Sequence, residues 1–134
     1  MMGLPEITTR FRFRGSFDPD DLTAMIGIRP DRTWREGEER TPLLRWKKSG
    51  WSLVFGPERS VDLEAQIKRM LDTVEPIQER CRSARDRYDA EVDVFCSADV
   101  HDQTPAILLG AETPSRLARL GLHLGIDILL TESD

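Results

Sequence analysis

The chain has 134 residues, of which 39% are apolar and 32% are charged, with a formal net charge of −5. This length and balance predict one soluble globular domain over residues 1–134, and the acidic character disfavours nucleic acid as a partner. No apolar run approaches the ~18 residues of a membrane span, and the first residues lack the apolar centre of a signal peptide, so we expect a cytoplasmic protein without a membrane anchor.

The first predicted elements are a strand and a short helix. Residues 7–14 alternate in polarity, which predicts a half-buried strand whose outer face carries several arginines. Asp18 is a suitable N-cap, Pro19 fits the first helical position, and Gly27 is placed to end the helix.

The region from residue 29 to residue 50 has many charges and weak periodicity. It predicts a long irregular connection, interrupted by a short strand at 43–46, and such connections in compact domains are functional or mobile. Residues 51–55 alternate again as a strand, which Gly56 and Pro57 are expected to end.

The longest helical pattern spans residues 60–88 and carries one apolar stripe at the helical period. Ser60 is predicted to cap it. Pro76 divides the pattern, because an internal proline removes a backbone hydrogen bond and clashes with the preceding turn. We therefore expect one helix to about Val74 and a second from near Pro76.

The C-terminal third predicts two further strands, a helix and a last strand. The strands are residues 91–97 and 105–110, separated by a turn or hairpin loop. Thr113 is expected to cap the helix, with Pro114 at its first position. Residues 125–131 then close the chain as a strand.

These elements predict an α+β fold with a single, mostly antiparallel sheet of about five strands and helices packed mainly on one face. The spacing of Gly15, Pro19 and Leu22 recurs later in the chain, after another predicted strand. Two strand–helix units built as a pseudo-repeat would explain the recurrence. The glycines and prolines that commonly follow strands and begin helices would explain it equally well.

Sites for metals, cofactors or catalysis are not predicted. Asp99, His101 and Asp102 lie close together after Cys96 and could hold a divalent metal, but a hairpin turn requires such polar residues in any case. Cys96 and the other cysteine, Cys81, lie on different elements and are read as reduced thiols. His123 is interpreted as a packing or capping residue.

The segment after the first helix is the best candidate for binding. The candidate partner-binding residues are Arg32, Trp34, Arg35 and Glu36, because tryptophan and arginine dominate binding energy at interfaces. An alternative is a small-ligand binder or enzyme that uses the arginine- and tryptophan-rich loop 29–40 to hold a phosphate or carboxylate. A third interpretation is a charged connection whose tryptophan packs onto its own core.

Several segments resemble a bacterial family, the domain-of-unknown-function family 4279. They are GSFDPDDLTAMIGIRPDRTWREGE, GWSL, the proline-interrupted helical stretch, PAILLG and LGIDI. The resemblance covers nearly the whole chain and implies a small bacterial domain, with no activity, cofactor or catalytic residue to carry over. Our expectation is a non-enzymatic protein that binds another protein, in an immunity-like or regulatory role.

Overall fold

The computed structural model describes residues 3–130, and a ten-residue strand lies at the centre of the fold. In chain order the elements are β1 (Glu6–Gly15), α1 (Pro19–Ile26), β2 (Arg32–Trp34), β3 (Glu39–Thr41), β4 (Leu44–Arg45), β5 (Ser49–Arg59), α2 (Leu63–Val74), a 3₁₀ turn (Glu75–Ile77), α3 (Gln78–Tyr88), β6 (Glu91–Val100), α4 (Glu112–Arg119) and β7 (His123–Leu130). The central strand is β1, which pairs antiparallel with both β5 and β6.

The main sheet has five strands in the order β2-β5-β1-β6-β7. Its β2–β5 pairing is also antiparallel, and only β6 and β7 run parallel, because the α4 crossover joins them. The prediction of an α+β fold with a mostly antiparallel sheet is therefore confirmed. Strands β3 and β4 form a separate two-stranded hairpin.

The two faces of β1 differ as the alternating sequence predicts. Ile7, Phe11 and Phe13 are buried in the hydrophobic core. Thr9 shares their face, and its hydroxyl donates to Gln66 of α2 at 2.8 Å. Arg10, in contrast, lies on the opposite, partly exposed face. The packing of the helices mainly on one face of the sheet stays a prediction.

The long helical pattern is confirmed, including its division at Pro76. α2 ends at Val74 and α3 begins after the 3₁₀ turn. The predicted cap was two residues early, because Asp62 accepts from the Ala65 amide while Ser60 accepts from the Asp62 amide. Among the described residues, none of the helices is long and apolar enough to cross a membrane.

The region 29–50 is more ordered than predicted, because it contains three short strands rather than one at 43–46. β5 also continues through Gly56 and Pro57, where the prediction ended it. The register with β1 shifts between Ile7 and Thr9, so one extra residue of β5 is accommodated as a bulge without breaking the strand.

Three predictions for the C-terminal third were wrong. β6 extends to Val100, so the predicted loop begins later. Residues 105–110 form only an isolated bridge, from Ala106 to Asp62, since no strand of the main sheet pairs with them. α4 begins at Glu112 after Ala111, and Thr113 is buried inside the helix rather than capping it.

The pseudo-repeat is not confirmed by this topology. Gly15 ends strand β1, whereas Gly110 follows a segment outside the named strands. His123 is an exposed residue at the start of β7, not a packing or capping residue at a helix end. The last predicted strand corresponds to β7 up to Leu130, and Thr131 lies outside the described residues.

Candidate functional site

The outward face of the sheet carries arginines and a tryptophan in register. One row across β2, β5, β1 and β6 contains Arg32, Ser52, Arg12 and Asp93. Directly paired residues share a face, so these side chains lie side by side. The next row contains Trp34, Gly50, Arg14 and Glu91, and a third contains Arg10 and Phe95.

Two tryptophans stack above this face. The ring centroids of Trp34 and Trp46 are 4.6 Å apart, with 24° between the ring planes. The guanidinium of Arg32 lies 5.5 Å from the Trp34 ring, and that of Arg40 lies 4.7 Å from the Trp46 ring. The four side chains therefore form two arginine–aromatic pairs joined through the indole stack.

The β3–β4 hairpin brings Arg40 and Trp46 to the sheet. The amide of Gly37 donates to the Trp46 carbonyl and the amide of Trp46 donates to the Glu38 carbonyl, both at 2.9 Å. These bonds join the two ends of the hairpin and position its basic and aromatic side chains beside the outward face.

Between the hairpin and the sheet lies what we call the arginine–tryptophan cleft. It consists of two adjoining volumes, about 300 Å³ over the sheet and about 490 Å³ beneath the hairpin. The sheet side is lined by Arg10, Arg12, Arg14, Arg32, Trp34, Arg40, Trp46, Ser52 and Phe95. Arg14, Trp34, Arg40 and Trp46 line both volumes, so the two parts form one continuous surface.

Some cations of the cleft are neutralised by neighbouring carboxylates. Arg12 donates two hydrogen bonds of 2.8 Å to Asp93, and Arg14 lies 3.3 Å from the same carboxylate. Lys48 lies 3.0 Å from Glu91, and this contact lowers the pKa of the Glu91 carboxyl. The two carboxylates at this end of the cleft are therefore engaged.

Arg10, Arg32 and Arg40 differ, because within residues 3–130 no carboxylate oxygen lies within 4.0 Å of them. Arg10 donates to the Ser97 hydroxyl at 3.1 Å. Its pKa is lowered by burial first and then by the nearby charges of Arg32 and Arg12. The cleft therefore concentrates positive charge on a protein whose net charge is −5.

The structure brings together only two of the four predicted partner-binding residues. Arg32 and Trp34 line the cleft. Arg35 turns away to Asp18 at 2.9 Å and to Asp20 at 3.0 Å, and the Asp18 charge is the main cause that raises the pKa of Arg35. Glu36 is exposed, and its backbone amide donates to the Ser49 hydroxyl.

Sequence reasoning missed most of the cleft lining. Arg10, Arg12 and Arg14 were recognised only as the outer face of a strand, although three arginines at alternate positions are a signal of a basic sheet face. Arg40 belongs to the arginine- and tryptophan-rich loop 29–40 of the alternative ligand-binding interpretation, whereas Trp46 carries no comparable signal, because only the hairpin brings it over that face.

The residues considered as a possible metal site do not lie together. Cys96 is buried in the core beside Thr9, whereas the side chain of Asp99 lies on the other face of β6. His101 and Asp102 are exposed beyond the end of the strand. In the described part of the chain, no group of three or more histidine, cysteine, aspartate or glutamate side chains could hold a metal. Cys81 and Cys96 are free, buried thiols.

Comparison with known proteins finds one family. A family model described as "Domain of unknown function (DUF4279)" matches residues 5–131. No curated protein and no solved structure is detectably similar to the chain. The geometry of the chain itself must therefore carry any functional argument.

Proposed function

Since the chain belongs to the DUF4279 family, a family of domains of unknown function, we propose a role from its own geometry: it is a non-enzymatic binding module that holds an acidic segment of another protein in the arginine–tryptophan cleft. This proposal places the partner at Arg32 and Trp34, but not at Arg35, which is engaged by Asp18.

The observation that carries the proposal is the set of three arginines without a carboxylate partner among the described residues. Arg10, Arg32 and Arg40 point into one cleft, although their mutual repulsion disfavours such clustering. Carboxylates from a ligand would relieve that repulsion and form charge-assisted hydrogen bonds, which are stronger than neutral ones.

The lining suits recognition better than catalysis. An arginine side chain stays protonated under ordinary conditions and so does not serve as a general base. The carboxylates of Asp93 and Glu91 are held by Arg12 and Lys48. The groups that remain can attract an anion and stack against a planar or apolar side chain, which is the chemistry of a binding surface.

The rim of the cleft favours a peptide over a small ion. Leu44 lines the larger volume and is 56% exposed, and Leu43 beside it on the hairpin is 94% exposed. A small anion would leave these leucines in water. An extended segment with alternating acidic and apolar residues would cover them while its carboxylates reach the arginines.

The test is a binding titration with a labelled peptide that alternates glutamate and leucine, followed by fluorescence anisotropy. Arg10→Gln and Arg32→Gln should each weaken binding about tenfold or more, since a charge-assisted hydrogen bond contributes roughly 1.5–3 kcal/mol. Arg29→Gln and Arg59→Gln remove the same charge at exposed positions outside the cleft and are the matched controls. Equal losses in all four variants would show non-specific attraction and contradict the proposal.

Trp34 supplies a second test of the same surface. It is half-buried and stacked on Trp46 rather than enclosed in the hydrophobic core. Trp34→Ala is expected to lower peptide affinity by ~2 kcal/mol or more, with a smaller loss of stability than the ~3–5 kcal/mol of a core tryptophan. A loss of stability in the core range, with peptide affinity preserved, would count against the proposal.

A second candidate function is binding of a small planar anion such as a nucleotide, which the Trp34–Trp46 stack favours. An aromatic base could stack on an indole while phosphates contact the arginines. Titration with adenosine triphosphate, followed by tryptophan fluorescence, separates the two candidates. Saturable quenching of tryptophan fluorescence by adenosine triphosphate that requires Arg10 and Arg32, in a protein that does not bind the acidic peptide, would favour nucleotide binding over peptide binding.

A further inference from the structure

The two edges of the main sheet are unlike one another. At one edge, β2 is only three residues long and carries Arg32. At the other, β7 runs for eight residues and pairs with β6 in continuous register over its whole length. Among residues 3–130 no strand lies beyond β7 in the five-stranded sheet, so its outer side presents backbone groups available for pairing.

β7 has few of the features that prevent edge-to-edge association. Natural edge strands are blunted by shortness, proline, lysine or bulges. β7 is long, has no bulge in its pairing with β6, and contains neither proline nor lysine. Its single acidic residue is Asp127, and its aliphatic side chains remain accessible, with Ile128 at 42% and Leu130 at 82% exposed.

The order of residues along β7 is self-complementary. His123, Gly125 and Asp127 alternate on the outward face, because they pair with Asp93, Phe95 and Ser97 of β6. Leu124 and Ile126 lie on the opposite face, which packs against the hydrophobic core. An antiparallel copy of the same strand, centred on Gly125, would place the histidine opposite an aspartate and the leucine opposite an isoleucine.

We propose that a second copy of this chain binds at β7, so that two five-stranded sheets join into one across a two-fold axis at Gly125. His123 of each copy lies opposite Asp127 of the other and donates a hydrogen bond from its imidazole to the carboxylate. Leu124 of each copy packs against Ile126 of the other, and cross-strand backbone bonds join residues 123–127 of the two edges.

Charge favours the register with the axis at Gly125 over the registers with the axis at Ile126 or Asp127. A two-fold axis perpendicular to the sheet makes the outward face of one copy continuous with the outward face of the other. Residues that lie directly opposite each other must then share a face, which requires the axis to pass through a residue and not between two residues. An axis at Asp127 would place two aspartates opposite each other, and an axis at Ile126 would leave each aspartate opposite Gly125 of the other copy. Only the axis at Gly125 gives two histidine–aspartate pairs.

The experiment is sedimentation velocity over a range of protein concentrations, with a charge-swap cycle in the full chain. The parent should dimerise. His123→Asp places aspartate opposite aspartate twice, and Asp127→His places histidine opposite histidine, so each should raise the dimer Kd about tenfold. The double variant His123→Asp/Asp127→His restores both pairs and should recover the parent Kd.

Two controls make the outcome decisive. Far-UV circular dichroism confirms that each variant is folded, and Ile128→Lys, which adds a charge on β7 outside the paired residues 123–127, should leave the dimer Kd near the parent value. A parent that stays monomeric at every concentration overturns the proposal. A dimer whose Kd is unchanged in both His123→Asp and Asp127→His, or that Ile128→Lys weakens equally, also overturns it, because the copies then meet at another surface or in another register.

Discussion

Gly50 lies beneath the indole of Trp34, so closely that a Cβ on Gly50 would overlap the ring. The backbone of Gly50 does not require positive φ. Glycine is needed at this position for space and not for backbone conformation. The relationship ties β5 to the tryptophan stack and therefore to one wall of the cleft.

Gly50→Ala should displace Trp34 from the sheet. We expect a stability loss of about 1–3 kcal/mol, as for other overpacked sites, and a weaker near-UV circular dichroism signal from the Trp34–Trp46 stack. Gly110→Ala is the control, because a Cβ there meets no atom closer than 3.8 Å. A parent-like spectrum in Gly50→Ala would contradict the packing described for Trp34.

Gln66 is a fully buried polar residue that joins α2 to β1. Its amide nitrogen donates to the Ile7 carbonyl at 3.0 Å, and its amide oxygen accepts from Thr9. Gln66→Leu should cost about 1–3 kcal/mol in urea denaturation, because Ile7, Thr9 and Glu58 all lose their hydrogen bonds to Gln66. The loss should shrink when Thr9→Val is already present. Additive effects would mean that Thr9 and Gln66 are not coupled.

Arg116 links α4 to the end of α2 through ion pairs with Asp72 and Glu75. It donates to Asp72 at 2.7 Å and to Glu75, and the Glu75 hydrogen bond is the main cause that lowers the pKa of Glu75. Because this pKa is lower in the folded state, the pair stabilises the fold at neutral pH and loses that effect as acid protonates Glu75.

Arg116→Met should therefore reduce stability by about 0.5–1 kcal/mol at pH 7. The difference from the parent should shrink once the pH falls below the ordinary glutamate pKa of about 4.3 and passes through the lowered pKa of Glu75. Arg29→Met, at an exposed position outside α4 and without an ion pair among residues 3–130, is the control. A difference between Arg116→Met and the parent that is independent of pH would show that Arg116 acts through packing alone.

The cysteines should be unreactive in the folded protein. Burial raises the pKa of the Cys81 thiol to about 11 and also raises that of Cys96. At pH 8 both remain thiols, and the thiolate is the reactive form. Mass spectrometry after treatment with iodoacetamide should find both unmodified in native protein and both alkylated in denaturant. Rapid native alkylation of Cys81 would contradict its burial.

Local chemistry determined much of the secondary structure. The Asp18 cap, Pro19 at the first position and left-handed Gly27 delimit α1 as predicted, because each acts within one or two turns of backbone. The apolar stripe of α2 and the break at Pro76 follow from the helical period and the missing proline amide. These signals do not depend on distant residues.

Predictions failed where a distant partner decides the structure. Residues 105–110 are apolar, but β7 takes the place beside β6, so they remain outside the sheet and leave Leu108 78% exposed. Gly56 and Pro57 usually end a strand, but a bulge against β1 accommodates them. In both cases pairing over long sequence separation overrode the local pattern.

The sequence by itself determined α1, the stripe of α2 and the alternation that places Arg10, Arg12 and Arg14 on one side of β1, because capping and side-chain direction follow from local backbone geometry. Only the tertiary structure decided that Arg32, Arg40 and the two stacked tryptophans share a cleft with them. Strand order and the fold of the hairpin bring those residues together, and neither is encoded in any short stretch of the chain.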